Sequence, residues 1–159
     1  MTSQISFHAF DIKDISLLDD FLKCAHFYIG DDDFTPQGRN LIYSLHEEGK
    51  IVGLAEFRLG ATCRIHGDRS AALITKFGLM SEEEEDVETL LLLIRKEAKR
   101  LELGAIYLDG EELPFERELG FVPCAEKGIY FEGEGEQHLK TLRVLSFDGI
   151  LDSGMLHLF

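Results

Sequence analysis

Apolar and polar residues alternate along ISFHAFDI, Ile5 to Ile12, and this period of two predicts a first strand. The period then changes. Within DISLLDDFLKCAHFYI, Asp14 to Ile29, the apolar positions Ile15, Leu18, Leu22 and Ala25 follow helical spacing, with Asp14 placed as N-cap. GDDDFTPQGRN is a loop by composition, with a short second helix expected after Pro36. LIYSLHEEGKIVGLAEFRLG reads as a hairpin, two β-rich runs joined at EEGK. RSAALITKFGLM, ending at Met80, reads as a further strand.

A long amphipathic helix comes next. Val87, Leu90, Leu91, Ile94, Ala98 and Leu101 form one stripe, which Leu92 and Leu93 widen, so the helix is expected to be covered on more than one side. Gly104 is the expected stop. AIYLDG reads as a short strand, and EELPFEREL as a short helix ended by Gly120. FVPCAEKGIYFEG and HLKTLRVLSFDG read as two late, paired strands. The apolar tail ILDSGMLHLF, Ile150 to Phe159, is expected to dock on the domain or to help form a homodimer. This succession of strands with helical crossovers predicts an α/β (α+β mixed) fold around a mixed sheet.

Length changes the picture little: 159 residues suit a single domain with one substantial core. No apolar run is long enough to span a membrane, and MTSQISFHAFDIKD lacks the basic and apolar regions of a signal peptide. Three widely spaced cysteines, Cys24, Cys63 and Cys124, argue against a disulfide framework and against zinc, and a cytoplasmic setting is the simplest expectation. The six histidines show no ligand spacing, so no metal site is expected. The net charge is −14, with 30 acidic residues against 16 basic. Such a surface repels nucleic acid and anionic membranes and attracts amines or cationic partners.

The order of elements, with three junctions, resembles the GNAT superfamily of N-acetyltransferases. FERELGF, Phe115 to Phe121, is similar to the family's FYEKLGF turn. GKIVGLAEFRL, Gly49 to Leu59, is similar to its second-to-third-strand hairpin, and Ala71 to Asp109 to its strand-helix-strand unit. The resemblance implies a mixed, mostly antiparallel sheet of about six to seven strands flanked by helices, over roughly residues 5 to 147. It implies acetyl-CoA as cofactor. The pantetheine arm would lie along Phe77, Gly78, Leu79 and Met80, where the fourth strand splays from the fifth. It implies a small-molecule or peptide amine as acceptor, met by Asp31, Asp32 and Asp33. Among catalytic candidates, Glu56 would be the base; Glu116, standing where the family often has tyrosine, or Tyr107 would be the acid.

The chain departs from the family pattern at the pyrophosphate loop, Gln/Arg-x-x-Gly-x-Gly/Ala. Laying Ser81 on the family's proline puts Glu84, Glu85, Asp86, Val87, Glu88 and Thr89 over that loop, and no glycine lies between Ser81 and Leu90. A carboxylate about 5 Å from a phosphate costs on the order of 3 kcal/mol at an effective dielectric near 20. The helix N-terminus returns only about 0.3–1 kcal/mol. Ser81 and Glu84 match a capping box instead, and acids in a first turn stabilise a helix. Two readings stay open: an acetyl-CoA-dependent N-acyltransferase, and a non-catalytic ligand- or protein-binding module on the same fold.

Overall fold

The computed structural model describes residues 5–33, 40–61, 71–124, 128–129, 131, 137–139 and 141–147. The helix expected after Pro36, Cys63 and the apolar tail lie outside them.

The sheet begins with edge strand β1, Ile5–Ala9. Beside it runs the predicted hairpin, β3 (Asn40–Glu47) and β4 (Lys50–Leu59). Glu48 and Gly49 both have positive φ, 51° and 77°, which is the two-residue turn whose twist suits a hairpin. β5, Ala71–Leu79, lies antiparallel to β4. Helix α2, Glu84–Arg100, then crosses to β6, Ala105–Leu108, which runs parallel to β5. The sheet closes with β10 (Arg143–Ser146) and β7 (Val122–Pro123), and β8 (Gly128–Ile129) pairs separately with β9 (Gln137–His138). The order is β1-β3-β4-β5-β6-β10-β7, mostly antiparallel as expected.

An eighth strand was not expected. The helix predicted over Asp14–Ile29 stops early: a single 3-10 turn, Ile12–Asp14, leads into α1, Ile15–Cys24. Ala25 is already extended, and His26–Ile29 form strand β2. The aromatic and β-branched residues of HFYI favour strand, and a partner on β5 decides the matter.

The apolar stripe of α2 makes the main core. Val87, Leu90, Leu91, Ile94 and Ala98 are buried against Tyr43, Phe57, Ile74, Phe77 and Ile106 of the sheet. Leu92, however, is 38% exposed, so the expected second covered side is only partly realised, through Leu93. On the other face α1 buries Leu18 and Phe21 against Ile51 and Leu54. α2 ends before Gly104: Glu102, at φ 60°, takes the left-handed position. Leu103 N–H then bonds Ala98 O and Glu102 N–H bonds Lys99 O, the paired bonds of a Schellman stop. EELPFEREL forms turns rather than the predicted helix, with Phe115 at φ 68°.

Candidate functional site

The two edges of β5 are used differently. One edge pairs with β4 from Leu59↔Ala72 to Gly53↔Leu79. The ladder steps from Phe57↔Ile74 to Glu56↔Lys76, so Thr75 is an extra residue, a β-bulge. On the other edge β6 pairs only with Ala71, Ala72 and Leu73. Beyond Leu73 the two parallel strands no longer pair, and a gap opens beside the C-terminal half of β5.

Strand β2 lies in that gap. It pairs antiparallel with β5 at His26↔Leu79, Phe27↔Gly78 and Ile29↔Phe77. Three contacts hold it. A Cβ on Gly78 would stand 2.7 Å from Cε2 of Phe27, so the ring rests where a side chain would be. Gly30, at φ +73°, brings its backbone against β5, where a Cβ would meet Thr75 O at 2.4 Å. Finally, Lys76 Nζ donates to Asp31 O at 3.0 Å and to Asp31 Oδ1 at 3.2 Å. The Asp33 amide, which donates to the Asp31 carboxylate, and then Lys76 hold the Asp31 pKa below its ordinary value. Asp32 and Asp33 are exposed.

At the head of β5 the chain turns into α2. Ser81 Oγ accepts from the Glu83 amide at 2.9 Å, Glu83 is the N-cap, and its side chain makes no cap bond. The predicted Ser81–Glu84 capping box is therefore replaced by a shorter serine turn that ends before the helix begins. Glu84, Glu85 and Asp86 fill the first turn. Their field reaches β2: burial first, then Glu82, Asp86 and Glu84, raise the pKa of Tyr28.

The catalytic candidates fall in three places. Glu56 is 5% exposed, and its Oε1 accepts from Thr75 Oγ1 at 2.7 Å, next to the bulge. The alternation around it left its orientation open; the structure turns it inward. Tyr107 is fully buried on β6 among Leu73, Ile129 and Val144. Glu116 is engaged elsewhere. Its Oε1 accepts from the Leu113 amide and from Arg143 Nη2, and its Oε2 accepts from Arg143 Nε, at 2.7–2.8 Å. The other Arg143 N–H groups donate to the carbonyls of Gly110, Thr141 and Glu111. Glu116 thereby raises the Arg143 pKa. Both carboxylate oxygens hold the loop over β10, and the only signal for this in sequence is a lone arginine within LRVLS. Among the described residues no group of three or more His, Cys, Asp or Glu side chains could hold a metal, and no helix is long and apolar enough to cross a membrane.

At the level of sequence, no family model and no curated protein matches the chain. Solved structures do. The ribosomal-protein-S18-alanine N-acetyltransferase of Escherichia coli superposes with a TM-score of 0.58 at 14% identity, over 90% of this chain and 94% of that one. A GNAT-family acetyltransferase from Streptococcus pneumoniae gives 0.56 at 17% identity, over 90% and 99%. Spermidine N-acetyltransferase from Vibrio cholerae, in complex with CoA and spermine, gives 0.57 at 10% identity, over 90% and 95%. The chain has the GNAT fold.

In a GNAT frame β5 and β6 are the splayed pair, and the resemblance puts pantetheine on the free edge of β5 and pyrophosphate on the α2 N-terminus. Acetyl-CoA does not fit the residues found at either place. Phe77, Gly78 and Leu79 pair with β2, and the Met80 amide donates to Val52 O on the β4 side. The first turn of α2 presents carboxylates and no glycine.

Proposed function

We propose that this chain is a GNAT-fold binding module that works without acetyl-CoA and engages a cationic partner, a small amine or a basic peptide. The first turn of α2 carries the reading. On this fold it is the seat for the pyrophosphate, and here it holds Glu84, Glu85 and Asp86 behind Glu82 and Glu83. Side chains replace the glycines that would let amide groups approach a phosphate, and at about 3 kcal/mol per close carboxylate the repulsion exceeds what the helix dipole returns. The sign of the partner follows from a net charge of −14 and from Asp32 and Asp33, exposed on the loop after β2.

A second reading, an N-acyltransferase moving an acetyl group from acetyl-CoA to a small-molecule or peptide amine, is favoured by one observation. Glu56 is buried beside the bulge, and in this reading its carboxylate is the base that takes the proton of the amine. The amine named for the Vibrio cholerae neighbour, and the protein alanine named for the Escherichia coli one, supply the acceptors to try. A free-thiol assay with acetyl-CoA and spermidine, or a peptide with N-terminal alanine, decides between the readings. The module releases no CoA above background; acetylated product in either reaction would establish the enzyme.

A further inference from the structure

We propose that strand β2 is an intramolecular stand-in for the pantetheine arm, so that the cofactor edge of β5 is filled by the chain itself. The inference rests on the reading of a module without acetyl-CoA and deepens it, because it concerns the sheet edge rather than the phosphate seat.

The backbone argument comes first. Pantetheine is a chain of two amides, and what a strand edge offers it is a row of N–H and C=O groups. The Met80 amide faces β4, donating to Val52 O. Strand backbone groups alternate between edges, so the Leu79 and Phe77 groups face the other way, toward β2. Their pairing with His26 and Ile29 takes the groups that a pantetheine amide would need. An edge group already bonded within the fold has little left for a ligand.

The side chains of the segment are matched to this edge along its length. Phe27 covers Gly78, where a Cβ would strike the ring. Phe21 of α1 meets Phe27 edge-on at 6.2 Å, so the ring is also held from the helix side. Tyr28 stands edge-on to Phe77 at 5.9 Å. The backbone at Gly30 lies against Thr75, and Asp31 receives the ammonium of Lys76. Lys76 stands next to the bulge in the β4–β5 ladder, so the residue beside that irregularity also carries the latch for β2. Five successive residues beside the gap therefore meet four of β5.

Pantetheine without its nucleotide separates the two obstacles, since it carries no phosphate for the α2 acids to repel. The test uses the isotope-labelled full chain and follows the Phe77 and Leu79 amides by NMR. In the wild type, millimolar pantetheine leaves both resonances in place, and both amides exchange with solvent at least roughly tenfold more slowly than exposed amides. In Lys76→Met combined with Phe27→Ala, the protection falls by roughly tenfold or more, and pantetheine shifts both resonances. Fast exchange at Phe77 and Leu79 in the wild type, or pantetheine-induced shifts there, would overturn the proposal, and neither depends on the variant folding. Acetyl-CoA binding with the Phe77 and Leu79 amides still protected would defeat the module reading and leave the stand-in intact.

Discussion

Phe27 rests on Gly78, so closely that a methyl group at position 78 would stand 2.7 Å from the ring. Fifty residues of chain separate them, and the contact sits at the centre of the β2–β5 pairing. Gly78→Ala therefore sets two effects against each other. Removing a glycine restricts the unfolded chain and stabilises by about 0.4–1 kcal/mol where the backbone allows it. Overpacking against a held ring costs typically about 1–3 kcal/mol. The net effect is destabilising, and urea denaturation together with faster exchange at Leu79 will report it.

Glu116 and Arg143 form a buried ion pair whose other groups are bonded to the loop over β10. Arg143→Ala leaves an unpaired buried carboxylate, a loss of about 3–5 kcal/mol. Glu116→Gln combined with Arg143→Met costs far less than the two single changes summed, as a double-mutant cycle in denaturant will show. The Arg143 pKa is raised, so its share of stability is present at all lower pH and is lost only on strongly alkaline titration. Across neutral pH the Arg143 guanidinium itself therefore adds no pH dependence to stability.

His8 and His46 stack at 4.6 Å, and the His46 ring bonds Ser44 Oγ at 2.8 Å. Burial first, and then the neighbouring His8, lower the His46 pKa, with Asp14 opposing. A histidine with a depressed folded pKa favours the native state fully above its unfolded pKa, about 6.5, and less as pH falls through that value toward the folded one. The stability difference between wild type and His46→Gln should therefore shrink from pH 8 to pH 5. A difference independent of pH would contradict this.

Glu102 ends α2 at φ 60°, a conformation that suits glycine. Glu102→Gly should raise stability by up to about 1 kcal/mol in thermal or urea unfolding, since the position lies outside the helix proper.

What the sequence discloses depends on how local the cause is. The α2 stripe follows from its own period, and the β3–β4 hairpin from a two-residue turn ending in Gly49. These elements, in their order, were enough to indicate the fold. β2 was hidden because Leu22 and Ala25 prolong a helical period into His26, while its partner Gly78 lies far along the chain. The burial of Glu56 comes with a hydrogen bond from Thr75, the extra residue of a bulge on the next strand, which alternation along its own strand does not reveal. Arg143 has no local motif, since its partner is 27 residues away. The absence of glycine from the α2 turn was plain in the sequence; the strand lying beside it was not.

The most direct measurement is calorimetric titration of the protein with acetyl-CoA and with CoA at low ionic strength. Screening is weakest there, so the field of Glu82 to Asp86 acts on a pyrophosphate at full reach. The account predicts no saturable heat with millimolar cofactor. Saturable binding in the micromolar range would contradict it, and would mean that β2 yields its place on β5.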